Sequence, residues 1–251
     1  MSGTWNVAQR MDEIRRVFLQ SREMATETAE LDLLIEKLKL ISADYIPVAF
    51  EGAAMELALI DLSKSNDLLR WKSLSSKCES YLVPHAHVGL GWAIVFSKCA
   101  LPAIENLIEP AGMPYIFDGV GHFHATLNQR QAVMNKMIPS NLSEKYLSYY
   151  DQGLGRGIWY IAHGQSSRAI ELVRSFPIDR QKDLWRGIGI ACQFVGGTSV
   201  ADVELLSESS GDFSQHFTDG MARAIYVGKL FRLNPDRQEP IGECLPQEVN
   251  P

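Results

Sequence analysis

The sequence predicts an all-α protein built from stacked helix pairs, similar to tetratricopeptide repeats and able to close around an apolar cavity. The first observation is a repeat of six glycine-headed apolar segments, with the last four leading glycines at intervals of 34, 34 and 33 residues. A period in this range is typical of helical-repeat proteins. The second observation is a rhythm in which an apolar segment rich in small residues precedes a more polar, amphipathic one. The third is the scarcity of strand alternation and hairpin turn signals. The leading glycines are Gly52, Gly89, Gly119, Gly153, Gly187 and Gly220.

The first 48 residues are predicted to form an N-terminal helical segment. Apolar residues at steps of three and four mark two helices in it. The polar stretch 21–28 between these helices is compatible with either a break or a continuous exposed helix. Pro47 is expected to end the segment. The apolar positions are Val7, Met11, Ile14 and Phe18, followed by Leu31, Leu34, Leu38 and Ile41.

Residues 49–234 are predicted to form the helical-repeat domain, whose clearest unit spans residues 149–183. A first helix over 151–163 is expected to end at Gly164, since glycine is the usual residue after a helix C-terminus. A second helix is expected over 168–175, with the two serines directly before it as the N-cap candidates.

The next unit repeats this plan. Its first helix is expected to stop at the glycine pair 196–197, and Thr198 or Ser199 is the expected cap of a helix over 200–207. The last segment, 235–251, is rich in proline, glycine and acids and is predicted to be a poorly packed tail.

Composition and charge exclude several classes of partner. The 251-residue chain is 46% apolar with a net charge of −6, which argues against broad binding to nucleic acid or anionic membranes. Its longest apolar stretch, 88–96, is far shorter than the roughly 20 residues that span a bilayer. The N-terminus lacks a secretory-signal pattern, and the four cysteines show no Cys-x-x-Cys spacing. These features predict a cytoplasmic protein without a transmembrane segment.

The repeated glycines need a physical reason. Glycine inside a helix costs roughly 1 kcal/mol relative to alanine, so its recurrence at one repeat position requires an offsetting gain. Close packing of neighbouring helices is the simpler explanation, and close approach of a ligand to the backbone is the alternative. A dinucleotide site is not expected, because no segment completes Gly-x-Gly-x-x-Gly after a strand.

Alignment of the six segments separates a polar position from an apolar one. Equivalent positions in stacked repeats face the same surface. The position three residues after the glycine places His122, Arg156 and Arg223 in a shared groove or central cavity. His124 falls on a mostly apolar row. The aligned residues are Met55, Trp92, His122, Arg156, Ile190 and Arg223.

The motifs, taken in order, resemble a known family. They are Phe50-Glu51-Gly52-Ala53-Ala54-Met55, His87-Val88-Gly89-Leu90-Gly91-Trp92-Ala93, Phe117-Asp118-Gly119-Val120-Gly121, Asp151-Gln152-Gly153-Leu154-Gly155-Arg156 and Phe176-Pro177 through Asp183-Leu184-Trp185 to Gly196-Gly197. Together they resemble an uncharacterised bacterial family encoded beside enediyne polyketide synthases and in other specialised-metabolite gene clusters. The resemblance implies a cytoplasmic protein that helps to elaborate a polyketide-derived polyene. It implies no catalytic residue.

The third motif departs from the family's order. The expected sequence after Asp-Gly-x is Gly-Phe-His, whereas this chain has Gly121-His122-Phe123-His124. Either His122 or His124 therefore matches the family position, and the chain is interpreted as a divergent member.

The histidines form two His-x-His pairs, His85 with His87 and His122 with His124. On a strand such a pair would present both imidazoles to one metal ion. On a helix, residues two apart point about 200° apart. No metal site and no cofactor are therefore predicted.

Asp118 has two interpretations. It is a helix N-cap or first-turn acid, as the equivalent residues Glu51 and Asp219 also suggest. Alternatively, it orients His122, four residues later on the same helix face, as a general acid–base catalyst.

The remaining candidates concern substrate binding. Arg156 lies between two glycines and is expected either to pair with a buried carboxylate or to hold an anionic group of the substrate. Asp151, Arg223 and Trp92 complete the candidate set, with Trp92 either in the core or lining an apolar pocket. No serine or cysteine nucleophile motif is present.

These observations predict a cofactor-independent cyclase or isomerase that acts on an apolar polyene or isoprenoid-like substrate. His122 or His124 would move a proton, Asp118 would orient the histidine and Arg156 would hold a polar end. The alternative is a non-catalytic helical-repeat scaffold that binds a partner enzyme of the same biosynthesis or a peptide. The sequence gives no oligomeric state.

Overall fold

The structure is a computed structural model that describes residues 6–64, 67–99 and 104–233. The predicted tail, 235–251, lies outside the described residues. Those residues form helices, turns and irregular segments with no strand, which confirms the predicted all-α class. Within the same residues, no helix combines the length and the apolar character needed to cross a membrane.

Seven long helices and four short ones make up the described fold. The long helices are α1 (Val7–Glu27), α3 (Ile46–Leu62), α5 (Val83–Ser97), α6 (Met113–Leu127), α7 (Leu147–Ile161), α9 (Ile178–Val195) and α11 (Ser214–Leu233). The short helices are α2 (Leu31–Lys39), α4 (Leu69–Lys77), α8 (Ser166–Arg174) and α10 (Val200–Ser210).

The long helices form one row in the order α1, α3, α5, α6, α7, α9, α11, each packed against the next. The short helices α2, α4 and α8 pack against the long helix that they follow. The segment after α6 departs from this plan and contains a π-helical turn at Arg130–Met134. The described residues therefore show a continuous row of long helices, with the predicted pairs at only some positions.

The row curls, so that helices far apart in sequence meet. α1 contacts α9, and the Arg10 guanidinium donates a hydrogen bond to the Val195 carbonyl at 3.4 Å. The short 3₁₀ turn Ala43–Tyr45, before α3, contacts α11. The Arg223 guanidinium of α11 lies 5.8 Å from the ring centre of Tyr115 on α6. The curl brings one face of α3, α6 and α7 together at the centre of the fold.

The recurring glycines are the points where neighbouring long helices touch. In α7, a Cβ on Gly153 would overlap the Asp118 carbonyl of the preceding helix, and one on Gly155 would overlap the Leu184 carbonyl of the following helix. Residues two apart on a helix point in nearly opposite directions, so each Gly-x-Gly pair serves both neighbours. Missing Cβ atoms permit close Cα–H···O=C contacts between backbones.

The same arrangement recurs along the row. It occurs at Gly89 and Gly91 in α5, Gly119 and Gly121 in α6, and Gly187 and Gly189 in α9. Gly52 of α3 packs against the Phe18 carbonyl of α1, so α1 extends the row. The interpretation of the glycines as a packing device is confirmed. The predicted domain boundary after residue 48 falls inside α3.

Several local predictions need correction. α7 begins at Leu147 and not at residue 151, and α8 begins at Ser166 without a side-chain cap. Pro47 starts α3 and does not terminate the preceding segment, since a proline in the first turn needs no N–H partner. The polar stretch 21–28 continues α1 as helix as far as Glu27.

Other local predictions are confirmed. Gly164, with φ of +70°, follows the end of α7, and α9 ends at Val195 before the glycine pair 196–197. Ser199 caps α10 by accepting a 3.1 Å hydrogen bond from the Asp202 amide, although α10 extends beyond residue 207 to Ser210.

Candidate functional site

Five polar side chains meet where the row curls, and we call them the central charge cluster. They come from α3, α5, α6 and α7. Each of them lies one residue before, four residues before or three residues after a leading glycine. These positions share one helical face, so the five side chains meet. The cluster consists of Glu51, His85, Asp118, Gln152 and Arg156.

The cluster is held together by direct contacts. The Arg156 guanidinium binds the Asp118 carboxylate and lies 3.7 Å from Glu51 Oε1. Gln152 Nε2 donates a 2.7 Å hydrogen bond to Asp118 Oδ2. His85 Nδ1 lies 2.9 Å from Glu51 Oε1. These contacts link two carboxylates on α3 and α6 through one guanidinium on α7.

Electrostatics explain why the group stays together. Burial opposes the charge of Arg156, but the Asp118 and Glu51 carboxylates raise the pKa of its guanidinium, which remains a cation. One guanidinium thus faces two carboxylates, and the His85 ring contacts one of them, Glu51. Buried charges of this kind carry a large desolvation cost unless each finds a partner.

The position of Asp118 corrects its capping interpretation. Asp118 lies in the interior of α6, five residues after the first helical residue Met113. Glu51 and Asp219 are equally internal to α3 and α11. Since these acids are far from helix N-termini, their recurrence reflects a shared inner face.

His122 lies beside the cluster in an aromatic setting. Its ring centre is 5.0 Å from that of Trp92 and 5.2 Å from that of Tyr160. Burial and the nearby Arg156 charge hold the pKa of His122 well below its usual range, so the imidazole is neutral. Its Nδ1 is buried and has no hydrogen-bond partner among the described residues. Asp118 is engaged by Arg156 and Gln152, so no contact supports its predicted role of orienting His122.

His124 lies elsewhere, in the wall of what we call the α5–α6 groove. The groove has a volume of about 320 Å³ and lies between the C-terminal part of α5, the outer side of α6 and residues 139–142. Its lining residues are Ile94, Val95, Lys98, Cys99, Ile116, Phe117, Val120, His124, Pro139, Ser140, Asn141 and Leu142. Apolar side chains thus dominate the groove, as in small-molecule sites generally.

A second titratable residue supports His124. His124 Nδ1 lies 3.2 Å from the Tyr150 hydroxyl of α7. Burial lowers the pKa of His124 and raises the pKa of Tyr150, so both groups are neutral near neutral pH. Neutral imidazole has one protonated nitrogen and one that accepts a proton. The pair can therefore receive or release a proton at the groove wall.

The other predicted site residues lie in separate contacts. Asp151 forms a buried ion pair with Arg180, and Arg223 stacks on Tyr115. The structure therefore joins Asp118 with Arg156 and joins His122 with Trp92, whereas Asp151 and Arg223 contact other partners, Arg180 and Tyr115.

Sequence reasoning did not identify Gln152 or Tyr150 as site residues. Gln152 stands directly before a leading glycine, as Asp118 does, so the repeat alignment carried a signal for it. Tyr150 carried none, because its partner His124 lies 26 residues away on the neighbouring helix.

Both His-x-His pairs lie on helices, and the two histidines of each pair contact different neighbours. His87 Nδ1 lies 2.8 Å from the Val83 carbonyl, whereas His85 belongs to the central charge cluster. Across the described part of the chain, no three His, Cys, Asp or Glu side chains are grouped to hold a metal ion. Burial raises the pKa of Cys78 to about 12 and also raises the pKa of Cys192, which disfavours the reactive thiolate form.

Most of the chain matches the model of one protein family. Residues 3–238 match the model of a family described as protein of unknown function, DUF1702. No curated protein and no solved structure matches the chain. The matched residues include the glycine row, the central charge cluster and the α5–α6 groove.

Proposed function

The chain belongs to the DUF1702 family, and we propose that it is an enzyme of specialised metabolism that isomerises or cyclises an apolar, unsaturated substrate by proton transfer. The observation that carries this proposal is His124 in the wall of an apolar groove of about 320 Å³. The motif resemblance to proteins encoded beside enediyne polyketide synthases supports a polyene or isoprenoid-like substrate. The proposed enzyme works in the cytoplasm without a cofactor.

The chemistry follows from the neutral His124–Tyr150 pair. Isomerisation of a polyene adds a proton to one carbon and removes a proton from another. A neutral imidazole suits both steps in sequence, because it takes the proton from one carbon and, as the imidazolium so formed, returns a proton to the other carbon and becomes neutral again. The Tyr150 hydroxyl is the group that can exchange a proton with His124 Nδ1 at 3.2 Å. The apolar groove wall binds the hydrocarbon beside His124.

In this proposal the central charge cluster positions α6 and does not touch the substrate. Asp118 and Arg156 tie α6 to α7, the two helices that carry His124 and Tyr150. His122 lies on the inner side of α6, among Trp92 and Tyr160. His124 therefore takes the proton-transfer role that sequence reasoning divided between the two histidines.

The test uses purified full-length protein, conjugated linear polyenes of increasing length, and D₂O. Product isomers and incorporated deuterium are measured by mass spectrometry. We expect His124→Asn to lower turnover by about 10²–10⁴-fold, the usual contribution of a general acid–base residue. Tyr150→Phe is expected to lower it less, because the imidazole remains.

His163→Asn is the matched control, since His163 is exposed and lies outside the groove. It also has φ of +52°, a conformation that asparagine adopts readily. We expect this variant to keep the wild-type rate. Wild-type turnover in His124→Asn would remove the proton-transfer role from this residue.

A second candidate function is a scaffold for a partner protein. Exposed apolar side chains concentrate at the end of α6 and in the segment after it, at Leu127, Met134, Met137 and Ile138. Methionine-rich apolar surface of this kind is common at adaptable protein-binding sites. The scaffold predicts that a biosynthetic partner enzyme co-purifies with the wild-type chain and is lost in Met134→Lys with Met137→Lys. The enzyme proposal predicts unchanged turnover in that double variant.

A further inference from the structure

Lys98 is an unusual residue at the α5–α6 groove. It ends α5 with φ of +56°, a left-handed conformation that is typical of glycine and unfavourable for residues with a Cβ. A left-handed residue is a common way to end a helix. Here that residue is a lysine, and it is one of the residues that line the groove.

The charge at the groove is opposite to the charge of the chain. The protein has a net charge of −6, yet no aspartate or glutamate is among the groove-lining residues. Lys98 is the one permanently charged residue among them. Among the described residues it forms no salt bridge, and its side chain is exposed. This arrangement is complementary to an anion at the end of an apolar ligand.

The shape of the groove suits a ligand with an apolar chain. With a volume of about 320 Å³ and one side open to solvent, the groove can hold such a chain along its wall. Ile94, Ile116 and Val120 supply an apolar wall for this chain, and His124 is part of the same lining.

We propose that the α5–α6 groove binds a carboxylate with an apolar chain, with its carboxylate paired to Lys98 and its chain beside His124. The inference rests on the proposed function, because it assigns a substrate class to the groove in which His124 works. It goes beyond that function because it gives the substrate an anionic end. Neither apolar packing in the groove nor proton transfer by His124 requires one.

Another explanation of Lys98 is that its charge complements the α5 helix dipole. Lysine near a helix C-terminus is favourable for that reason alone. If the C-terminal carbonyls of α5 hold the ammonium away from the ligand, a carboxylate and the uncharged alcohol of equal length bind with the same affinity. A comparison of decanoate with decanol therefore separates the two explanations without depending on protein stability.

The experiment measures binding to the full-length protein by isothermal titration calorimetry at low ionic strength. The probes are carboxylates from hexanoate to tetradecanoate, together with decanol. We expect affinity to rise by about fourfold for each methylene that the groove covers, the usual gain per buried CH₂, and to level off once the chain extends beyond the groove wall. Decanoate is expected to bind up to about fivefold more tightly than decanol, since exposed ion pairs are weak and screened by salt.

Two variants of Lys98 and one matched control complete the design. Lys98→Gln and Lys98→Gly are both expected to abolish the preference for decanoate, and Lys98→Gly is expected to raise the melting temperature by relieving the backbone conformation. Lys136 also has a positive φ, of +55°, and lies outside the groove. Lys136→Gly is expected to leave the decanoate preference unchanged.

Equal affinity of the wild-type protein for decanoate and decanol would overturn the inference. A decanoate preference that survives Lys98→Gln would overturn it as well. The proposed function fails by a different measurement: either the wild-type protein does not turn over any polyene, or His124→Asn keeps the wild-type rate, with decanoate binding intact in both cases. Turnover of neutral polyenes with no carboxylate preference would leave the proposed function standing and remove this inference.

Discussion

The central charge cluster and the α5–α6 groove lie on different sides of α6 and use polar residues in opposite ways. In the cluster, Asp118 is enclosed by Arg156 and Gln152, so its hydrogen-bonding capacity is used within the protein. In the groove, Lys98 lies among apolar side chains without an acid in the lining. The central charge cluster, which is dense in charge, therefore holds the helices together. The α5–α6 groove, which has little charge, can receive a ligand.

The two regions depend on each other through the backbone of α6. Gly119 contacts the Val88 carbonyl of α5, and Gly121 contacts the Tyr150 carbonyl of α7. A shift of α6 relative to either neighbour changes both regions.

The largest loss of stability is expected when the guanidinium that faces both buried carboxylates is removed. Arg156→Met leaves Glu51 and Asp118 buried without their guanidinium. Breaking a buried pair in this way costs about 3–5 kcal/mol of unfolding free energy, because an uncompensated charge remains. Urea-induced unfolding followed by circular dichroism measures the loss.

Arg168→Met is the matched control for this change. Arg168 pairs with Glu171 on the surface of α8, where both side chains are well exposed to solvent. An exposed pair of this kind contributes about 0–1 kcal/mol. Equal losses in Arg156→Met and Arg168→Met would contradict the structural role assigned to the cluster.

A smaller loss is expected from a single added methyl group at the helix contacts. The Cβ of Gly153→Ala overlaps the Asp118 carbonyl on the cluster side, and that of Gly91→Ala overlaps the Ile116 carbonyl on the groove side. Overpacking against backbone costs typically about 1–3 kcal/mol. Both variants are expected to unfold more easily, and only Gly91→Ala is expected to weaken decanoate binding, since Ile116 lines the groove.

Gly228→Ala provides the control, because no heavy atom lies within 4 Å of its added Cβ. Gly228 is in the interior of α11, where alanine is favoured over glycine by up to about 1 kcal/mol. The substitution is expected to raise the unfolding midpoint. A similar rise in Gly153→Ala would show that the glycines are not required for close helix packing.

The sequence predicted the row of helices better than it predicted the site. Glycine recurrence is a local pattern, and its physical reason, close backbone contact, operates between consecutive repeats. The meeting of Glu51 with Arg156 depends on the curl of the row, which no single segment encodes. The partnership of His124 with Tyr150 likewise depends on the parallel register of α6 and α7. Repeat alignment found the shared face, but it could not show which residues on that face pair with each other.

The smallest expected effect is a pH dependence of the unfolding free energy. It differs between His122, beside the central charge cluster, and His124, in the groove wall. Burial lowers the pKa of His124, and burial together with Arg156 lowers that of His122 further below its ordinary range. The unfolded chain then binds protons that the folded chain excludes as the pH falls below about 6.5. Stability is therefore expected to be constant above this pH and to decrease below it, by at most about 1.4 kcal/mol per pH unit for each histidine.

Unfolding by urea at several pH values between 7.5 and 5 measures this slope. His122→Asn is expected to flatten it more than His124→Asn, because His122 is more deeply buried and lies closer to a fixed positive charge. Comparing slopes within each variant removes the pH-independent cost of the substitution itself. An unchanged slope in His122→Asn would mean that the folded protein accepts a proton beside Arg156. The cluster side of α6 would then be open to solvent, and the contrast between an enclosed cluster and an accessible groove would be lost.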